Sequence, residues 1–276
     1  MMKEYVSAPL PFVGQKRMFI GEYKKVLKTI SGASVFVDLF GGSGLLSHIT
    51  KRERPDVVVI YNDFDGYRKR LEHIKETNQI LHELRSITDP LPRHKLIPHP
   101  EREAILSLLE QKEREYGYLD CITLSSSLLF SSKYATSLKD LKKHSLYNNV
   151  RKQDYSADGY LDGLEITSCD YKVLFEKYKD RDDVVFLVDP PYLSTDVGAY
   201  VMGYWRLSDY LDVLKVLSGQ RYVYFTSDKS SIVELCEWIG DNIAIGNPFA
   251  MAKKKEINAH LNYNAKYTDI MLYKVS

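Results

Sequence analysis

Along the chain, short runs of β-branched and aromatic residues alternate with stretches whose apolar positions recur every three or four residues. Val35-Phe36-Val37-Asp38-Leu39-Phe40 is the first such run, and it ends in glycines. A run this apolar suits a strand covered on both faces. Leu45, Leu46 and Ile49 follow at helical spacing, and Val57-Val58-Val59-Ile60-Tyr61 is a second buried strand. Tyr67, Leu71 and Ile74 then lead into a charged amphipathic helix predicted to span 73–84. This strand–helix rhythm predicts a parallel sheet with helical crossovers.

The rhythm breaks at Pro90, Pro92, Pro98 and Pro100, four of the ten prolines within eleven positions. Prolines so dense cannot continue a helix or a central strand, so they read as a boundary. A polar helix is predicted over 101–116 and a more apolar one over 119–130. The alternation resumes near Leu164-Glu165-Ile166. Residues 184–188 and 222–225 then read as strands, 207–217 and 232–239 as helices, and 268–275 as a closing strand. The division predicted is a sheet domain built from 1–85 and 160–276, interrupted by a mainly helical insertion over 86–159. That insertion, roughly 75 residues, is far longer than an ordinary loop, and long insertions in α/β sheets usually carry specificity.

Composition narrows the partners. The 276 residues carry 38 Lys and Arg against 37 Asp and Glu, a net charge of +1, so bulk charge cannot drive binding to nucleic acid. A local patch must do so. The densest one is the window 133–152, where Lys133, Lys139, Lys142, Lys143, Arg151 and Lys152 oppose only Asp140, a net of +5. Tyr134, Tyr147, Asn148 and Asn149 are interleaved there, which suits phosphate and base contact. Three scattered cysteines and no Cys-x-x-Cys pair give no disulfide framework and no zinc knuckle. The N-terminus lacks a secretory h-region, and the apolar runs fall far short of the roughly 20 residues of a membrane helix. The expectation is a soluble cytoplasmic protein with no membrane partner and no metal.

Two turns carry the chemistry. Phe40-Gly41-Gly42-Ser43-Gly44 sits where a strand turns into a helix, and Asp63 ends the next strand about 20 residues later, where an acidic group can hold ribose hydroxyls. Glycines there allow close approach of a ligand to helix N–H groups; the same residues could form a plain tight turn. As a dinucleotide fingerprint the loop is imperfect, because Ser47 stands at the third glycine position, and no P-loop motif occurs. The second turn, Asp189-Pro190-Pro191-Tyr192, follows a predicted strand directly. Two prolines remove two N–H donors, so the corner offers only acceptors. The Asp189 carboxylate and the Pro190 carbonyl can each accept one N–H of a planar amine, with Tyr192 stacked on its ring. A rigid surface turn is the plain alternative.

With both turns in this order, the sequence resembles the D12 class of DNA adenine-N6 methyltransferases, relatives of the Dam enzymes, in their α-group motif order. The resemblance runs through residues 9–85 and 160–276 and weakens between them. It implies a Rossmann-like, S-adenosylmethionine-dependent methyltransferase fold with a mostly parallel, seven-stranded sheet containing one antiparallel strand. It also implies an inserted target-recognition domain. Pro11-Phe12-Val13-Gly14-Gln15-Lys16 resembles the motif that contacts the methionine part of the cofactor, which carries over Phe12, Gly14 and Lys16. Asp38, Phe40, Gly42 and Gly44 match the cofactor loop, and Asp63 the ribose-binding strand end. Cys169-Asp170-Tyr171 resembles the acidic–aromatic pair flanking the cofactor adenine, and Asp189, Pro190 and Tyr192 match the catalytic tetrapeptide. The implied partner is double-stranded DNA with the target adenine flipped out, as in restriction–modification systems; the oligomeric state is left open, a monomer among the options. Lys133, Lys142, Lys143, Asn148, Arg151 and Lys152 are the candidate DNA contacts. One departure stands out: where the family carries an Asn-Gly stretch with a DNA-contacting Arg, this chain reads Leu129-Phe130-Ser131-Ser132-Lys133-Tyr134.

Other readings compete. A methyltransferase for another amine, cytosine N4 or RNA adenine, shares the acceptor corner; Asp at 189 favours DNA adenine. A catalytically silent nucleic-acid-binding protein on the same fold is a second rival, and a nicotinamide oxidoreductase a distant third. The histidines lack metal-binding spacing, and Lys253-Lys254-Lys255 reads as a solvated face.

Overall fold

The computed structural model describes residues 4–130, 133–192, 205–242, 246–262 and 265–275. In chain order they form α1 (Ile20–Thr29), β1 (Val35–Asp38), α2 (Leu45–Glu53), β2 (Val58–Asn62), α3 (Tyr67–Glu72), α4 (Ile74–Thr88) and α5 (His99–Tyr116). There follow α6 (Cys121–Leu128), α7 (Leu138–Leu141), β3 (Glu165–Thr167), α8 (Tyr171–Tyr178), β4 (Val184–Val188), α9 (Leu207–Leu217), β5 (Tyr222–Ser227), α10 (Ile232–Asn242), β6 (Lys253–Asn262) and β7 (Ala265–Lys274).

The strands make one seven-stranded sheet in the order β3-β2-β1-β4-β5-β7-β6. The first five run parallel, and β7 runs antiparallel between β5 and β6. This is the mostly parallel sheet with one reversed strand that the family resemblance implies. From β1 the chain adds strands toward β3 on one side and β5 on the other. The carboxyl ends of β1 and β4 therefore flank the switch point where open α/β sheets leave a crevice.

Every residue of β1, β4 and β5 is buried, and successive side chains serve opposite cores. Val37, Phe186 and Tyr224 pack with Leu174 of α8, Val213 of α9 and Cys236 of α10. Phe36, Leu187 and Phe225 pack with Tyr23 of α1 and Ile49 of α2. Within α2, His48 is 2% exposed. Its Nδ1 lies 2.7 Å from the Tyr160 carbonyl and its Nε2 accepts the Tyr5 N–H at 3.3 Å. These partners require the neutral ring with its proton on Nδ1.

The chain divides into two compact units: Met1–Ser7, Gly14–Asp65 and Gly159–Ser276 form one, and Ala8–Val13 with Gly66–Asp158 form the other. The second begins at Gly66 rather than at the prolines. Arg70 of α3, 5% exposed, donates Nε to both carboxylate oxygens of Asp120 at 3.0 and 3.1 Å, and its guanidinium also reaches Thr123 and the Pro11 carbonyl. Residues 66–85, assigned from sequence to the sheet domain, thus belong with the insertion.

Three further differences have local causes. The helix expected over 73–84 is α4, longer at its end, and a separate helix, α3, precedes it, because His73 leaves helical geometry at ψ 19°. The prolines at 98 and 100 start α5 instead of preceding it, since N–H groups of a first helical turn have no partner to lose. The edge strand β6 is not predicted by the sequence pattern; it opens on Lys253-Lys254-Lys255, which form the solvated face read from sequence, with Lys254 paired to Glu256 at 2.6 Å.

Candidate active site

The glycine loop after β1 is moulded on Tyr61 of β2. A Cβ on Gly41 would sit 2.4 Å from the Tyr61 ring and 2.7 Å from the Asn62 carbonyl, so only glycine fits. Gly42 and Gly44 take left-handed φ of 48° and 73°, which glycine adopts without strain. The Tyr61 hydroxyl lies 2.8 Å from the Gly42 carbonyl and 2.9 Å from Oδ1 of Asp63, holding loop and strand end together. Tyr160 donates its hydroxyl to the Ser43 carbonyl at 2.9 Å, which ties the loop back to the His48 network. Asn62 spans the neighbouring gap, donating to the carbonyls of Leu39 and Cys169 and accepting the Cys169 N–H.

At the end of β1, Asp38 is fully buried. Its Oδ2 accepts the Ser47 hydroxyl at 2.6 Å, and its Oδ1 is buried without a hydrogen-bond partner. Burial pushes its carboxyl up to about 7; the Ser47 hydroxyl opposes this, and the charge of Asp189 adds to it. Asp63 is likewise buried, and the carboxyl of nearby Asp65 is raised by burial and by the charge of Asp63.

Asp189 stands just past β4, beside the end of β1. Lys16 Nζ lies 2.7 Å from its Oδ2, with side-chain exposures of 7% and 17%. The same ammonium donates to the Gly14 carbonyl at 2.6 Å and sits 5.1 Å above the Tyr192 ring centroid. Oδ1 of Asp189 is buried without a partner. Burial raises the carboxyl, while the charge and hydrogen bond of Lys16 pull it down. The corner behaves as its composition dictates: Pro190 and Pro191 donate nothing, and the Tyr192 carbonyl is held by the Tyr210 hydroxyl at 3.2 Å.

Between these strand ends lies an aromatic group. Phe40 and Tyr171 have ring centroids 4.8 Å apart, and Trp205 lies 5.7 Å from Phe40 and 6.1 Å from Tyr171. Asp170 is exposed, and its Oδ1 caps α8 by accepting the Lys172 N–H at 2.7 Å.

Lys16, Asp38, Phe40 and Asp189 thus meet at one sheet edge with Gly42, Gly44, Asp63, Tyr171 and Tyr192. Phe12 lies in the second unit, packed edge-on against Tyr67 at 5.7 Å. Among the proposed DNA contacts, Lys133, Lys142, Lys143, Arg151 and Lys152 are exposed. Lys142 pairs with Glu110 and Lys143 with Asp140, while Arg151 lies over the Tyr155 ring. Asn148 departs from expectation. It is 1% exposed, and its Nδ2 donates to the carbonyls of Thr88 and Leu91 at 3.0 Å each. Its side chain is consumed in holding the insertion together. Ser131 and Ser132 lie outside the described residues.

Sequence reasoning passed over Tyr61, Ser47 as a carboxylate partner, Trp205 and Asp269. Tyr61 ends a strand that reads as core, and only its spacing of two from Asp63 hints that both point to one side. Asp269 stands opposite Ser227 in the β5–β7 register, and its raised carboxyl feels burial first, then the charges of Lys16 and Asp228.

Among the described residues no helix is long and apolar enough to cross a membrane, and no group of three His, Cys, Asp or Glu side chains converges as a metal site. A Haemophilus influenzae protein named "Putative methyltransferase" is 36% identical over 280 aligned residues, covering 99% of this chain and 93% of the relative. The profile of the D12 class N6 adenine-specific DNA methyltransferases matches residues 12–218, spanning both the glycine loop and the Asp-Pro-Pro-Tyr corner. The chain therefore belongs to that family of adenine-specific DNA methyltransferases.

Proposed function

We propose that the chain transfers a methyl group from S-adenosylmethionine to N6 of an adenine flipped out of double-stranded DNA. The observation that carries the reading is the state of Asp189. A largely buried carboxylate, held 2.7 Å from the Lys16 ammonium and with one oxygen unpartnered, stands at the switch point one strand from the glycine loop.

The residues around the loop fit the cofactor. Oδ1 of Asp38 is buried and lacks a donor, and a carboxyl raised to about 7 by burial welcomes a cationic partner. Gly42 and Gly44 leave the backbone open to close approach, Asp63 would take ribose hydroxyls, and Phe40 and Tyr171 offer flat faces beside an adenine ring. Gly14 and Asp170 complete the set carried over from the family motifs. When bound, the cofactor supplies an electrophilic methyl group on a sulfonium.

The chain's own task is orientation. Asp189 and the Pro190 carbonyl would accept the two N–H bonds of the target amine, drawing its nitrogen out of conjugation and fixing the direction of its lone pair. Tyr192 would stack on the base. Adenine in a duplex keeps its amine paired, so the base must leave the helix to reach this corner. Lys133, Lys142, Lys143, Arg151 and Lys152 are the cations proposed to meet phosphates.

Methylation-sensitive long-read sequencing of DNA from cells expressing the chain, with nucleoside mass spectrometry of DNA and RNA, tests the reading. N6-methyladenine at one DNA motif is the expected result. N4-methylcytosine in its place, or methyladenine confined to RNA, would overturn it.

A further inference from the structure

Lys16 lies in a motif whose family counterpart touches the methionine part of the cofactor, yet its ammonium is engaged elsewhere. It donates to Oδ2 of Asp189 at 2.7 Å and lies 5.1 Å above the centre of the Tyr192 ring. Those two groups are the carboxylate and the aromatic face that the proposed reaction requires for the target base. A positively charged N–H donor thus satisfies both at once, as the amine and ring of adenine would.

An ammonium so placed needs somewhere to go when the base arrives, because a buried cation without a partner is costly. Asp269 offers the place. Its register partner Ser227 ends β5, the strand beside β4. Alternation along β7 puts Asp269 on the same face as Met271, the face covered by α1. Lys16 leads into that helix, and the Asp269 carboxyl already feels the Lys16 charge. The Gly14 carbonyl, at 2.6 Å, belongs to the same short segment and can travel with the lysine.

We propose that Lys16 is a positioning residue of the acceptor site. Its ammonium occupies the seat of the target amine in the free chain and shifts toward Asp269 as the base enters. This rests on the adenine-methylation reading. It assigns Lys16 to the acceptor side of the site, away from the cofactor.

The test uses the full chain with S-adenosylhomocysteine and two duplexes carrying the mapped target site, one with adenine and one with an abasic position at the target. The ratio of their dissociation constants isolates base docking from all other DNA contacts. Measurements at about pH 8.5 favour the ionised carboxyl. In Lys16→Met the seat is empty, so the ratio should rise about tenfold in favour of adenine, the worth of one charge-assisted hydrogen bond. In Asp269→Asn the displaced ammonium loses its second partner, so the ratio should fall and KM for DNA should rise with kcat little changed. S-adenosylmethionine affinity should stay within about twofold in both variants.

A tenfold loss of cofactor affinity in Lys16→Met with an unchanged docking ratio would return Lys16 to the cofactor and overturn the proposal. An unchanged ratio with unchanged cofactor affinity would also overturn it, leaving Lys16 a structural ion pair. Failure of the wild-type chain to methylate adenine in DNA is a separate result, which removes the functional reading and this inference together.

Discussion

Lys16 Nζ lies 2.7 Å from Oδ2 of Asp189, in surroundings where neither charge would be stable alone. The pair joins the N-terminal motif to the Asp-Pro-Pro-Tyr corner, and it makes each residue's removal a test of the other. Asp189→Ala should lower methyl transfer at least 100-fold, the range for losing one electrostatic contact to a reacting group. It should also take from a buried ammonium its 2.7 Å carboxylate partner, at a cost of about 2 kcal/mol, since the Gly14 carbonyl remains and Asp269 lies near. Adding Lys16→Met to Asp189→Ala should recover most of that stability and none of the activity. Chemical denaturation and a methyl-transfer assay on the same three proteins would show both effects.

Asp38 should tie cofactor binding to pH. Its folded pKa of about 7 lies above the ordinary carboxyl value, so the folded chain holds this proton more tightly than the unfolded chain. The stability it contributes is complete below the unfolded pKa of 3.8 and is lost as pH rises through about 7. A cationic ligand reverses the preference, since it favours the carboxylate. S-adenosylmethionine affinity should therefore climb as pH rises toward 7 and level off above it. Asp38→Asn should abolish that climb, weaken the cofactor, and raise the melting temperature of the ligand-free chain at pH 8. Calorimetric titrations across pH 5.5–8.5 would test the first two outcomes and thermal melts the third.

His48 has the opposite sign. Burial lowers its pKa below 6.5, and protonation of Nε2 would expel the Tyr5 N–H. The unfolded chain then binds the extra proton, so the stability His48 contributes is present above pH 6.5 and is lost as pH falls through its lowered value. Because Tyr160 links His48 to the glycine loop, acidification should loosen this loop first. Hydrogen-exchange protection near residues 41–44 should fall as pH drops below 6.5, before global unfolding, and His48→Gln should flatten that dependence.

In the insertion, the exposed cations and the buried amide should respond differently. Neutralising Lys142, Lys143, Arg151 and Lys152 together should weaken DNA binding and reduce its log–log salt slope by about 0.9 for each phosphate no longer neutralised. Asn148→Ala should leave that slope intact and destabilise the second unit, by about 2 kcal/mol for two buried hydrogen bonds. Binding titrations at several salt concentrations, paired with denaturation curves, would separate the roles.

The central strands were legible because burial on both faces leaves an almost continuous apolar run. β6 was not: Lys253 to Glu256 are all exposed, and an edge strand hydrogen-bonded on one side needs no apolar alternation. The acceptor corner and glycine loop could be located from residue type and order. Their coupling could not, because the contact between Lys16 and Asp189 depends on sheet order and on which face each residue takes. Asn148 misled for a related reason. A polar residue in a basic window reads as a surface group, and only the carbonyls of Thr88 and Leu91 reveal that it is spent internally. The prolines marked a change of structure correctly but not its position, since Arg70 anchors the preceding helix to Asp120.

The Tyr61 ring lies 2.4 Å from where a Gly41 side chain would begin. Position 41 cannot drift: even beside a smaller residue at 61, an alanine there would meet the Asn62 carbonyl at 2.7 Å. A smaller residue at 61 in turn forfeits the hydroxyl that fastens Gly42 to Asp63. Descendants of this sequence should therefore keep Gly41, and any lineage that replaces Tyr61 needs a new clasp for the loop.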